Sequence, residues 1–130
     1  MKKLSLLLVS IVLFSCSEVI DQAVDNAIPD PETLQIAVKN NSSETFTRIE
    51  VRTRSGYTHV FQQTQAGMYS GFQESNVSYS KTEVVIQTES GYYSFSPLSY
   101  NEETKVIKGR YYYDISILNN DTLSVIRKRF

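Results

Sequence analysis

From residue 33 onward, apolar side chains recur at every second position, and no stretch makes a convincing long helix. Leu34, Ile36 and Val38 alternate with Gln35, Ala37 and Lys39, and Ile49 and Val51 with Arg48, Glu50 and Arg52. Val84 and Ile86 repeat the pattern. The longest stripe is Tyr111, Tyr113, Ile115 and Ile117, set against Tyr112, Asp114 and Ser116. Successive side chains of a strand point to opposite faces, so this period describes strands with one face buried and one wet. Turn-forming clusters separate the runs: Asn40-Asn41-Ser42-Ser43, Arg54-Ser55-Gly56, Glu89-Ser90-Gly91 and Asn119-Asn120-Asp121. The spacing predicts seven to eight strands, near residues 33–39, 45–53, 57–62, 68–73, 82–88, 91–96, 111–118 and 122–129.

Short strands with frequent turns close into a sandwich or a barrel. Counting back in twos from Phe130 gives Lys128, Ile126, Ser124 and Thr122, which is no lipid-facing stripe, and Arg127 and Arg129 exclude the other phase. A transmembrane barrel is therefore rejected. The expectation is an all-β domain, a single antiparallel β-sandwich. It is similar to immunoglobulin-like or transthyretin-like sandwiches in strand number, without the Cys…Trp…Cys hallmark of true immunoglobulin domains. The last two strands should form a hairpin about Asn119-Asn120-Asp121.

The N-terminus obeys different rules. Met1-Lys2-Lys3 is followed by an apolar run over residues 4–14, broken only by Ser5 and Ser10. This is short of the roughly 20 residues a transmembrane helix needs and suits a signal-peptide core of about 7–15 residues. It ends in Leu13-Phe14-Ser15-Cys16, the chain's one cysteine. That stretch resembles the lipobox of bacterial lipoproteins, with Leu three residues before the cysteine and a small residue directly before it. Phe14 is bulkier than the pattern's usual residue. The resemblance implies cleavage after residue 15 and lipidation of Cys16, with the new amine open to acylation. Two or three acyl chains anchor firmly, because each buried CH₂ contributes about 0.8 kcal/mol.

Residues 1–15 thus read as leader, 16–32 as lipidated cysteine and acidic linker, and 33–130 as the sandwich. The linker carries Glu18, Asp21, Asp25, Asp30 and Glu32 and no Lys or Arg. Val19, Ile20, Ala23, Val24, Ala27 and Ile28 recur at helical spacing, while Pro29 and Pro31 would end a helix and stiffen the spacer. Ser17-Glu18 and Asp21 resemble the acidic surface-export signals of Bacteroidota lipoproteins. The expected location is the cell envelope, lipid-anchored at the outer membrane, on its periplasmic or its exposed side. Without the leader there remain eleven bases and fourteen acids, a side-chain balance of −3. Nucleic-acid binders concentrate Lys and Arg on one face, so a nucleic-acid partner is not expected.

Residues capable of chemistry are few. His59 is the only histidine and has no Cys or second His beside it, so it reads as a strand histidine. Glu102-Glu103 reads as a solvated turn rather than an acid–base pair. No Gly-x-Ser-x-Gly elbow, Asp-rich calcium loop or phosphate-cradling glycine run occurs. Neither an enzyme nor a metal or cofactor is expected. Asp121-Thr122-Leu123 resembles the acceptor for O-glycosylation in exported Bacteroidota proteins, which implies Thr122 as the modified residue.

Tyrosine is the compositional excess, nine residues with no Trp. In Tyr92-Tyr93 and Tyr111-Tyr112-Tyr113 successive rings must face opposite ways, so some meet the outer surface. Tyr is large, stiff and amphipathic, which suits contact surfaces as well as sheet packing. Tyr112 and Tyr93 are the candidate residues for contacting a protein or glycan partner, Tyr112 because it lies out of phase with the apolar stripe. The functional expectation is an anchored, non-catalytic binding or assembly module. The alternative is an envelope inhibitor or accessory factor acting through a loop such as Gln65-Ala66-Gly67-Met68.

Overall fold

The computed structural model describes residues 31–53 and 57–130. The leader, Cys16 and the linker through residue 30 lie outside the described residues, as does the Arg54-Ser55-Gly56 turn. The strands are β1 (Leu34–Asn40), β2 (Arg48–Arg52), β3 (Thr58–Phe61), β4 (Gln73–Ser75), β5 (Glu83–Thr88), β6 (Gly91–Phe95), β7 (Gly109–Ile117) and β8 (Leu123–Arg129). A 3-10 turn, Glu102–Thr104, precedes β7, and Asn101 Oδ1 caps it by accepting from the Glu103 N–H. Two four-stranded sheets result, in the orders β4-β1-β7-β8 and β3-β2-β5-β6.

The alternating residues identify the inner faces. Leu34, Ile36 and Val38 of β1, Tyr113 and Ile115 of β7, and Leu123 and Val125 of β8 pack on Ile49, Val51, Phe61, Val84 and Ile86 of the other sheet. Phe46, between β1 and β2, closes one end and exchanges two backbone hydrogen bonds with Thr64. The chain is thus an all-β sandwich, and β7 and β8 form the expected hairpin with Ile115 opposite Val125.

Two features depart from expectation. Among the described residues every strand pairing is antiparallel except β1 with β7, which run parallel with Leu34 beside Gly109 and Asn40 beside Ile115. No local pattern signals this, because the partners lie some seventy residues apart and both strands alternate as antiparallel strands do. The strand expected at 68–73 is regular only over Gln73–Ser75. Upstream, Ser70 replaces a ladder carbonyl with its own side chain. Val38 N donates to Ser70 Oγ at 2.8 Å, and Ser70 N donates to Val38 O at 2.8 Å. The backbone therefore leaves regular register while staying against β1.

Two buried polar groups hold the ends. Asn40 is fully buried and completely paired. Its Nδ2 donates to Glu44 O (2.7 Å) and Thr64 O (2.9 Å), and its Oδ1 accepts from Ser42 N and Ser42 Oγ. Its backbone binds Gly67 and Met68, and Gly67 turns with φ +77°, a conformation that favours glycine. At the other end the Tyr113 hydroxyl, buried with its ring, hydrogen-bonds Ser78 Oγ at 2.5 Å and donates to Tyr79 O at 3.1 Å. Burial pushes the Tyr113 hydroxyl pKa above its ordinary value. Arg127, in the inner phase of β8, donates to Ser78 O and lies 5.1 Å from the centre of the Tyr111 ring. An arginine among core residues is tolerated because it caps the core's rim rather than entering it.

Ile115→Ala should lower stability by about 2–5 kcal/mol in urea denaturation, since Ile115 is fully buried. A loss below about half a kcal/mol would contradict the register. Asn40→Ala should cost about 2–4 kcal/mol, because it strands two carbonyls and the Ser42 donors at once. An unchanged unfolding midpoint would show that the Asn40 hub is dispensable.

Candidate binding face

The outer face of the β4-β1-β7-β8 sheet carries a cluster of four aromatic rings. Tyr112 projects from β7 directly beside Ala37 of β1, whose small side chain leaves room for the ring to lie across the sheet. Tyr69, which forms a bridge with Lys39, meets Tyr112 edge-on at 5.2 Å between centroids. Phe130 follows β8, held by a bond from its N–H to Arg110 O, and touches Tyr69 (5.7 Å), Tyr112 (6.1 Å) and Phe72 (4.9 Å). All four contacts are near-perpendicular, the arrangement that ring quadrupoles prefer. Yet Tyr69 remains 45 % exposed and Phe130 60 %. The rings support one another and still present a broad apolar surface.

Charge frames the cluster. Lys39 Nζ lies 5.3 Å from the centre of the Tyr69 ring. Lys128 donates to Asp114 Oδ2 at 2.9 Å, and this bond raises the lysine pKa above its ordinary value. Asp114 is buried in the outer phase of β7, and its Oδ1 has no hydrogen-bond partner among the described residues. An unsatisfied buried carboxylate oxygen is costly, so Lys128 is the group that makes Asp114 tolerable there. The loop Gln65-Ala66-Gly67-Met68 borders the face, and Gln65, Met68 and Tyr69 line a shallow depression of about 410 Å³.

The other sheet presents a different exterior. Glu50 is bound by Arg52 at 2.9 Å and Arg48 at 3.0 Å, and Arg52 reaches on to Glu83 at 3.2 Å. The hydrogen bonds from Arg52, then Arg48, hold the Glu50 carboxyl below its ordinary value. Arg48, Glu50, Val85, Gln87 and the 73 % exposed Tyr92 surround a depression of about 330 Å³. This face is charged and mutually paired, with one exposed ring.

Of the two tyrosines singled out from the sequence, Tyr112 does lie outward, and its neighbours make it part of a cluster. Tyr93 is placed differently. It shares the inner phase with Phe95, packs against the core, and its hydroxyl donates to Glu44 Oε2 at 3.3 Å. Tyr92 is the member of that pair that meets solvent. Thr122, on the turn directly before β8, is exposed, and its hydroxyl donates to Asn120 Oδ1 at 2.6 Å. His59 faces the gap between the edge strands, with Nε2 3.2 Å from Ser75 Oγ. Among the described residues no group of three or more His, Cys, Asp and Glu side chains is placed to hold a metal ion. Glu102 lies 3.8 Å from Lys105 and accepts from the Tyr79 hydroxyl, apart from His59 in role.

Tyr69, Phe72 and Phe130 were not singled out from the sequence. A signal existed for Phe130, since the phase Ser124, Ile126, Lys128, Phe130 becomes the outer face once β8 is paired with β7. Tyr69 and Phe72 lie in an irregular segment where alternation says nothing.

No protein-family model and no curated protein matches the chain. Its fold is similar to an NMR structure of a protein from Eubacterium rectale, with a TM-score of 0.57 at 17% identity, covering 76% of this chain and 91% of that one. At that identity the likeness concerns the fold alone.

Glu50→Gln should flatten the acid limb of stability. A carboxyl with a lowered folded pKa stabilises fully above its unfolded value, and the contribution fades as pH falls through the folded one. The difference between wild type and variant should therefore shrink from its ordinary value of 4.5 downward. A constant difference across that range would remove the Arg48–Glu50–Arg52 ladder as a source of stability.

Proposed function

We propose that the chain is an envelope lipoprotein, anchored through Cys16 at the outer membrane, whose sandwich is a non-catalytic binding module. The observation that carries the binding role is the exposed four-ring cluster of Tyr69, Phe72, Tyr112 and Phe130. An apolar aromatic patch of this kind on a sheet exterior marks an interaction surface, since its exposure costs solubility and its rings offer rigid contact area. The partner is a protein or a glycan, with Tyr112 at the centre of the contact. The bordering Gln65–Met68 loop also supports the reading of an inhibitor or accessory factor that inserts a loop, and the two share one face. O-glycosylation at Thr122 is part of the same proposal, supported by the exposure of that residue on the hairpin turn.

Cys16→Ala should release the protein from membranes or leave it as uncleaved precursor, as read by palmitate labelling and detergent phase partitioning. Normal processing with unchanged partitioning would remove the anchor from this reading. Tyr112→Ser should weaken a partner captured from intact membranes by at least about 1 kcal/mol if the ring is a hot spot. Tyr92→Ser, on the opposite sheet, should leave capture unchanged. The reverse result would move the binding face to the charged sheet, and loss of function in His59→Ala alone would point to chemistry instead.

A further inference from the structure

The parallel pairing of β1 and β7 places the point where the chain enters the domain beside the start of β7. Gly109 N donates to Thr33 O at 3.2 Å, and Leu34 lies opposite both Gly109 and Ser75. The 76–82 and 96–108 segments lie at this same end, as the His59–Ser75 contact and the Val84–Phe95 pairing require. Here the surface is both apolar and basic. Leu98 is fully exposed, Ile107 is 64 % exposed, and Tyr57 is exposed as well. Lys105, Ile107, Lys108, Tyr111 and Arg129 line a depression of about 350 Å³. Lys81 lies 5.7 Å from the centre of the Phe95 ring nearby. Acids are present too: Glu102 is engaged by Lys105 and Tyr79, Glu83 by Arg52, and Glu32, Glu74 and Glu103 are exposed.

The opposite end has the contrary character. Segments 41–47, 62–67, 89–90 and 118–122 hold Glu44, Glu89 and Asp121 and no Lys or Arg. The domain is therefore polarised in charge along its strands, with bases where the chain enters and acids at the far tip. Exposed aliphatic side chains are larger in area at the entry end, where Leu98 and Ile107 protrude, than at the tip, where Leu118 is 46 % exposed. Exposed Leu and Ile beside lysines suit the headgroup layer of an anionic bilayer, where apolar tips insert and bases meet phosphate.

We infer that this end, with Leu98 and Ile107 as inserting side chains and Lys81, Lys105 and Lys108 as headgroup contacts, docks the domain onto an anionic lipid surface. The inference rests on the anchor reading above, which supplies a bilayer within reach of the linker. Docking lays the acidic tip outward and holds the aromatic face upright, open to a partner from the side.

The test uses the full lipidated chain in phosphatidylethanolamine vesicles with or without phosphatidylglycerol. Leu98→Cys carries an environment-sensitive fluorophore, and Asn120→Cys carries it at the far tip; both positions are exposed. Headgroup spin-labelled lipid should quench the probe at 98 and spare the one at 120. Adding Lys105→Gln and Lys108→Gln should weaken docking by roughly tenfold or more, as should omitting phosphatidylglycerol. A chain that fails to partition into vesicles overturns the anchor and this inference together. A chain that partitions but shows equal quenching at 98 and 120, or quenching indifferent to charge, overturns this inference alone. Shielding of the 98 probe without vesicles, lost on dilution, would assign the surface to a second copy of the chain and overturn it too.

Discussion

The pairing of β1 with β7 is the contact on which the rest of the architecture hangs. Those two strands occupy the centre of their sheet, contribute Leu34, Ile36, Val38, Tyr113 and Ile115 to the core, and unite the beginning of the domain with its last third. Parallel neighbours cannot be joined by a tight turn, so the intervening chain must cross to the other sheet, build it, and return. Residues 48–95 do this, supplying β2, β3, β5 and β6 of the second sheet, with β4 returned to the edge of the first. The hydrophobic surface so created is shared by both sheets, and neither could bury its inner stripe alone.

The same pairing governs the exterior. It sets Ala37 beside Tyr112 and Lys39 beside Asp114, so a large ring finds a small neighbour and a buried acid lies among bases. With β8 on the other flank, Lys128 reaches Asp114 and Phe130 reaches Tyr112. The two outer faces consequently diverge. One sheet is covered by charges that neutralise each other in the Arg48–Glu50–Arg52–Glu83 ladder. The other is covered by rings whose mutual edge contacts leave much of their area exposed. A satisfied charge ladder gains little from a partner, whereas exposed aromatic area gains from every contact that excludes water. This difference is the physical ground for the proposal that a partner would bind the Tyr112 face.

Buried polar groups do the remaining work of definition. Asn40 ties the 41–44 turn, Thr64 and the Gln65–Met68 turn to the end of β1. Ser78, the Tyr113 hydroxyl and Arg127 tie the opposite end. Between them they hold the loops that carry the acidic tip and the basic, apolar end, so the polarity of the domain is a property of its packed interior as well as of its surface composition.

Much of this was legible in the residues themselves. The period of two named the inner residues of β1, β2, β5 and β7, because side-chain direction in a strand depends only on position along the chain. The turn clusters placed the β7–β8 hairpin, and the phase of Tyr112 against Ile115 was enough to turn its ring outward. What alternation could not show was which strands are neighbours and in which direction. The inward turn of Tyr93 in place of Tyr92 is set by the local β5–β6 hairpin, which places Tyr93 opposite Ile86. The parallel β1–β7 pair and the irregular course of 68–72, by contrast, depend on partners far away in sequence. The meeting of Tyr69, Phe72 and Phe130 around Tyr112 depends on them as well. Burial is a local decision of each strand's two faces, but adjacency is settled by the global competition to cover both sheets, and only the assembled structure resolves it.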